Sequence, residues 1–344
     1  MLTCTISRTI RSHFPFPRQE GKRGRCGPIG KRSRRPGRLI EIALLRASRP
    51  VFGLEDSCLP TPKDIPIGHK AFLGDGTEIS ATSGVVPILR ELEEGKLQVI
   101  GTGFYITRYG LFLSARHVFD DIIEAADPSS QRLRIFHDTG EEIHIRAVTK
   151  ITIANQADIA LGQADNFLAK FPDNPLANVR PKLTLEVPKT ATKLVAFAYP
   201  RNKLLDFTDK SEPVTIFAGR FEGKFVCVED PPKYDEHQIA TYQTTVPIEG
   251  GASGGPIFDE AGRVVAVARS SMDFKGSEHE GATTSFVTPL RHCLHLGLSN
   301  LPLPELSWEF RQIPNNRRSD DLTIRDLAKY GHVVFDPKID EPTT

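Results

Sequence analysis

Gly251-Ala252-Ser253-Gly254-Gly255-Pro256 is the stretch on which the reading of this chain turns. Glycines on both sides of a serine let the backbone take positive φ and approach another group closely. Such a turn is expected to aim the amide N–H groups of Gly251 and Ser253 into one small space, suited to a developing oxyanion. A serine hydroxyl is a weak nucleophile by itself, so this reading requires a base and a group to orient the base. Both residue types lie upstream, His117 in Leu113-Ser114-Ala115-Arg116-His117-Val118 and Asp158 in Ala157-Asp158-Ile159-Ala160-Leu161. Each has a plain alternative: a turn serine, a hydrogen-bonded histidine in an apolar run, an aspartate opening a strand.

The same stretch also satisfies G-x-S-x-G, the nucleophile elbow of another architecture. That elbow needs a helix directly after the serine, then an acid, then a histidine. Gly254-Gly255-Pro256 opens a helix poorly, because two glycines carry a high backbone entropy cost. The residues after it, Ile257-Phe258, a turn at Asp259-Glu260-Ala261-Gly262 and then Val264 to Val267, read as two strands. His279, His292 and His295 lie downstream, but only 91 residues remain after Ser253. The elbow reading is set aside.

Three blocks in the order His, Asp, Ser resemble the trypsin-like (chymotrypsin-fold) serine peptidases, and within them the bacterial Deg/HtrA-like branch. They are Gly101-Thr102-Gly103-Phe104 with Leu111 to Val118, Ala157 to Leu161, and Gly251 to Phe258 continuing through Gly262 to Val267. Independent structural needs would not put all three in this order. The resemblance implies an all-β fold of two antiparallel six-stranded Greek-key β-barrels, with the active site between them and a short C-terminal helix. It implies a serine endopeptidase acting on a protein or peptide substrate. Ser253 would be nucleophile, His117 general base and acid, Asp158 the orienting carboxylate, and the Gly251 and Ser253 amides the oxyanion hole. No metal or cofactor is implied. Family positions for the primary specificity pocket fall on Pro247 and on Ala268-Arg269-Ser270. With no aspartate at Pro247, small or medium aliphatic P1 residues are expected rather than Lys or Arg. Ala252 stands where zymogen-activated relatives carry an aspartate, so activity is not expected to depend on a freed N-terminus.

Among 344 residues, 39% are hydrophobic and 25% charged, an ordinary balance for a globular chain with room for more than one domain. No run of 18 apolar residues occurs, so a membrane-spanning helix is not expected. Net charge is +1, yet residues 1–50 hold 13 Lys/Arg against 2 Asp/Glu. That segment centres on Lys31-Arg32-Ser33-Arg34-Arg35-Pro36-Gly37-Arg38 and reads first as a disordered arm. It also fits an organelle transit peptide or an arm for nucleic acid. The rival function stems from it: a catalytically silent binding or scaffold protein of the same fold, its arm contacting nucleic acid or anionic surfaces. Five cysteines, none beside His117 or Ser253, suggest no disulfide framework and favour a reducing, cytoplasmic setting.

The expected domains are a basic arm over 1–65, a peptidase domain over 66–300 and a C-terminal extension over 301–344. Within the second, barrel 1 spans about 83–170 and barrel 2 about 189–290. First-barrel strands are expected at Leu97–Ile106, Leu111–Ser114, Leu133–Phe136, Ile143–Ile153 and Ile159–Gly162, with a short helix over Val118–Ala126. Second-barrel strands are expected at Lys193–Phe197, Val214–Phe225, Ile239–Thr245, Pro256–Phe258, Val264–Val267 and Thr283–Val287, with a closing helix over Pro289–Leu298. Deg-type relatives commonly carry a PDZ domain after the barrels, for which the stretch beyond Leu298 is too short.

Overall fold

The computed structural model describes residues 40–43, 70–72, 78–80, 84–93, 96–107, 110–125, 127, 131–138, 143–154, 156–165, 180–200, 204–206, 216, 218–230, 239–273, 283–298 and 322–338. The expected arm over 1–65 lies outside these residues except for Ile40–Ala43, which form a strand, β1. A small antiparallel hairpin, Lys70–Phe72 (β2) with Glu78–Ser80 (β3), comes next.

Six strands build the first barrel: Val85–Glu93 (β4), Lys96–Tyr105 (β5), Leu111–Ser114 (β6), Leu133–Asp138 (β7), Ile143–Ile153 (β8) and Ala160–Ala164 (β9). Their order β8-β7-β4-β5-β6-β9 closes on itself through a β8–β9 pairing, and β1 lies antiparallel along β8 with Ile40 opposite Ile153. Along β5 half-buried and buried residues alternate as far as Ile100, and every residue from Gly101 on is buried. The period of two marks one wetted face, and its loss marks the point where both faces are covered. In β6 and β9 every residue is buried. His117 follows the end of β6 and Asp158 precedes the start of β9.

The second barrel is built from Lys193–Ala198 (β10), Gly219–Glu229 (β12), Thr241–Thr244 (β13), Pro256–Phe258 (β14), Val264–Asp273 (β15) and Thr283–Pro289 (β16). Its order β10-β12-β13-β16-β15-β14 closes through β10–β14. Between β10 and β12, Leu204–Asp206 (β11) leaves this barrel and pairs with β5 of the first, Leu205 opposite Leu97. The protein therefore has two closed six-stranded antiparallel barrels, as the resemblance implies.

Two helical expectations change. Where a helix over Val118–Ala126 is expected, the described residues make a 3-10 turn, Arg116–Phe119, that runs into a four-residue helix, Asp120–Ile123 (α1). The stretch expected to close the fold as a helix makes only a 3-10 turn at Leu290–Cys293, then a strand at Gly297–Leu298 (β17). β17 pairs with Leu322–Thr323 (β18), and the C-terminal helix comes after it at Ile324–Lys329 (α2). A capping box sets its start, with Thr323 Oγ1 and the Asp326 carboxylate each accepting the other's backbone N–H. Ile324, Leu327, Val333 and Phe335 join the same buried cluster as Phe112 and Leu161 of the first barrel. Burying each such side chain favours docking by roughly 1.5–3 kcal/mol. Backbone bonds on either side of Leu183 and two from the Arg180 guanidinium to the carbonyls of Gly331 and His332 tie this segment to the inter-barrel connection.

No helix among the described residues is long and apolar enough to cross a membrane. Among the same residues, Cys227 and Cys293 are free thiols.

Candidate active site

His117 sits on the 3-10 turn just after β6. The turn's Val118 and Phe119 are buried, which leaves the His117 side chain 41% exposed. Asp158 lies just before β9, its side chain 9% exposed. One carboxylate holds His117 twice: Oδ1 accepts the backbone N–H at 3.0 Å and Oδ2 lies 2.8 Å from Nδ1. Burial raises the affinity of Asp158 for a proton. It is outweighed by the hydrogen bond and charge of the His117 ring, the His117 N–H and the Arg269 guanidinium, which together bring its carboxyl below the ordinary aspartate value. An ionised carboxylate only accepts, so Nδ1 carries the proton and Nε2 presents a lone pair. That is the tautomer a base requires.

Ser253 lies on the second barrel in the turn before β14, half-buried. The turn is docked against the first barrel by one residue of β5. Thr102 N–H donates to the Ser253 carbonyl at 2.9 Å, and Thr102 Oγ1 donates to the Gly251 carbonyl at 2.8 Å. The same Oγ1 accepts the Tyr199 N–H at 3.0 Å. Gly254 has φ +87°, and a Cβ there would come 2.1 Å from the Thr102 carbonyl and 2.2 Å from Ser114 Oγ. Only glycine lets the turn come this close. Gly251 is also at positive φ, 90°. Among the described residues, neither the Gly251 nor the Ser253 N–H has a backbone carbonyl as its acceptor, whereas Ala252 N–H bonds the Glu249 carbonyl at 2.9 Å and Gly254 N–H the Ala268 carbonyl at 2.8 Å.

The structure thus joins His117 to Asp158. The Ser253 hydroxyl instead donates to the Arg269 carbonyl at 3.0 Å. The two halves meet through that residue, because Arg269 Nε lies 3.3 Å from Asp158 Oδ2. Thr288 of β16 adds a second tie, donating to the Asp158 carbonyl at 3.2 Å.

Of the expected pocket residues, Pro247 and Ser270 are half-buried and Ala268 is buried with both its backbone groups bonded to Gly254 and Gly255. Arg269 turns to Asp158. Beside Pro247, the Ile248 N–H donates to Ser271 Oγ at 2.7 Å, which in turn lies 2.7 Å from Ser285 Oγ. Sequence reasoning missed this serine pair, the linking role of Thr102 and the Arg269–Asp158 contact. Thr102 did stand in a recognised block, and its place between two glycines was the one signal of a tight approach.

Residues 101–267 match the family model for the trypsin-like peptidase domain. No curated protein matches the chain in sequence. Solved structures do align with it. A crystal structure of Deg5 is 15% identical, covering 61% of this chain and 85% of its own, with a TM-score of 0.44. An inactive form of Rv3671c from M. tuberculosis H37Rv is 17% identical over 62% of this chain and 83% of its own, TM-score 0.40. The HtrA-type protease AlgW, solved with a tripeptide, is 16% identical over 61% of this chain and 59% of its own, TM-score 0.42.

Proposed function

We propose that the trypsin-like peptidase domain carried by this chain is a working serine endopeptidase, with Ser253, His117 and Asp158 as its catalytic residues. The observation that carries the reading is the double hold of Asp158 on His117, 2.8 Å to Nδ1 and 3.0 Å to the backbone N–H, which leaves Nε2 as the free base. Ser253 Oγ attacks a peptide carbonyl as His117 Nε2 takes its proton, then returns it to the leaving amine. Asp158 stays ionised and stabilises the imidazolium. The tetrahedral oxygen is received by the Gly251 and Ser253 N–H groups, which support this role by having no backbone acceptor of their own among the described residues. To meet His117, Ser253 leaves the Arg269 carbonyl by rotating about χ1 from one staggered well to another. The proposed domain limits are 1–65, 66–300 and 301–344, with Ile40–Ala43 of the first paired to β8 and residues 322–338 of the third packed onto the second.

A second reading has one observation in its favour. The Ser253 hydroxyl is bonded to Arg269 rather than to His117, as in a silent binding protein of the same fold. Hydrolysis of an unfolded protein such as casein separates the two. The peptidase reading expects cleavage by the wild type that Ser253→Ala abolishes; equal, background-level release by both supports the silent scaffold.

A further inference from the structure

We propose that Arg269 is a positioning residue whose guanidinium shares Asp158 with the His117 imidazole and thereby sets the pH range over which His117 serves as base. The proposal rests on the peptidase reading above. Its origin is a break in strand register: Ala268 pairs with Val287 and Ser270 with Phe286, so Arg269 is the extra residue of a β-bulge. A bulge re-aims the side chain it carries. Here the side chain leaves the expected pocket and reaches Asp158 Oδ2 at 3.3 Å, with 16% of the arginine side chain and 9% of the aspartate side chain exposed. His117 Nδ1 contacts that same oxygen at 2.8 Å. The Arg269 main chain meanwhile accepts the Ser253 hydroxyl at 3.0 Å. One bulged residue therefore touches the orienting acid with its side chain and the nucleophile with its carbonyl.

The chemistry is a matter of charge. Guanidinium is protonated at every pH where a protein is folded. A carboxylate beside one fixed cation offers less net attraction to a second. Proton uptake by the imidazole ends catalysis on the acid side, because the base is then occupied. With Arg269 present, that uptake is opposed and activity extends to lower pH than Asp158 alone would allow. Among the described residues, the charged groups with contacts given at the pair are His117 and Arg269 against Asp158, and Arg116 with Asp120, the first on the imidazole's own turn and the second at the start of α1, 3.4 Å apart and partly exposed. The last two offset each other, so Arg269 is the cation expected to count.

The test is the pH dependence of fluorophosphonate labelling of the full chain as wild type, Arg269→Gln and Arg269→Lys, with Ser253→Ala as the blank. The reagent reads the Ser253–His117 pair without a peptide in the pocket, so altered specificity does not enter. Arg269→Gln is expected to move the acid limb upward by about 0.5–1 pH unit, a labelling rate on that limb roughly 3- to 10-fold lower. Arg269→Lys should restore the wild-type limb. Superposable limbs in all three, with differences only in thermal midpoint, overturn the proposal and leave the peptidase reading standing. Wild-type labelling no greater than the Ser253→Ala blank at any pH overturns that reading, and this proposal with it. Arg269→Met replaces Arg269→Gln if the latter does not fold; collapse of both while Arg269→Lys folds means a structural role and also overturns the proposal.

Discussion

On the first barrel His117 and Asp158 are joined by contacts of 2.8 and 3.0 Å, whereas on the second the Ser253 hydroxyl is bonded at 3.0 Å to the Arg269 carbonyl. On the proposed reading, the acid–base half stands ready and the nucleophile half has still to turn toward it. The difference traces to what holds each residue. His117 is fixed through both its ring and its backbone. The Ser253 backbone is fixed by Thr102, but its side chain turns about one rotatable bond and is held by a single hydrogen bond, to the Arg269 carbonyl. The account therefore predicts a base built in advance and a nucleophile turned toward it when substrate arrives.

The largest expected effects come from removing a member of either half. Ser253→Ala and His117→Ala should each lower kcat by about 10⁵–10⁶, and Asp158→Asn by about 10⁴, because Asn fixes the wrong ring tautomer. Near-equal losses for Ser253→Ala and His117→Ala show that the halves act as one unit; a much smaller loss for His117→Ala breaks the comparison.

Docking of the two halves comes next. Gly254→Ala puts a Cβ 2.1 Å from the Thr102 carbonyl at a residue with φ +87°. It should cost about 2–4 kcal/mol in denaturant unfolding, together with most of the activity. Thr102→Val keeps the side-chain volume but leaves the Tyr199 N–H and the Gly251 carbonyl without Oγ1. A loss of about 1–3 kcal/mol is expected, with a lower kcat as the Ser253 turn loosens. Unchanged kcat in Thr102→Val would show that the turn keeps its place without this link.

Much of the scaffold was legible, and its gaps have physical causes. The period of two in β8 and β5, and the Gly-Pro and Gly-Arg punctuation around β14, put their limits within a residue of those observed. β4 escaped notice because Pro87 and the run Arg90-Glu91-Leu92-Glu93 argue against a strand. Pro87 is tolerated since pairing with β7 begins only at Ile88, so on that side its missing N–H has no partner to serve. The 322–338 segment reads as part of an extension because elements of two to six residues show no period; their burial exists only against the barrel. Among the site residues, glycines and hydroxyls in recognised blocks were visible. The Arg269 contact was not, since a one-residue bulge leaves no mark in composition or spacing.

Acid stability sets His292 apart from Asp158 by smaller amounts. Burial pushes His292, on the 3-10 turn that follows β16, down to about 4, the Ala240 carbonyl only partly offsetting it. The unfolded ring takes a proton near pH 6.5 and the folded one not until about 4. Stability is then full above 6.5 and falls as pH drops through that window. His292→Gln should flatten the thermal midpoint between those values. The Asp158 carboxyl is held low, so its stabilisation is present above about pH 4 and is lost only below that, as pH falls through its folded value. Smallest of all, Thr323→Ala removes the cap of α2 and should cost about 1 kcal/mol, with kcat unchanged.

The most direct measurement is the site of covalent modification. After treatment of the full chain with a fluorophosphonate at neutral pH, peptide mass spectrometry should find one adduct, on Ser253 within Gly251–Pro256, and none in His117→Ala. An adduct on another residue, or equal Ser253 modification with and without His117, would contradict the account.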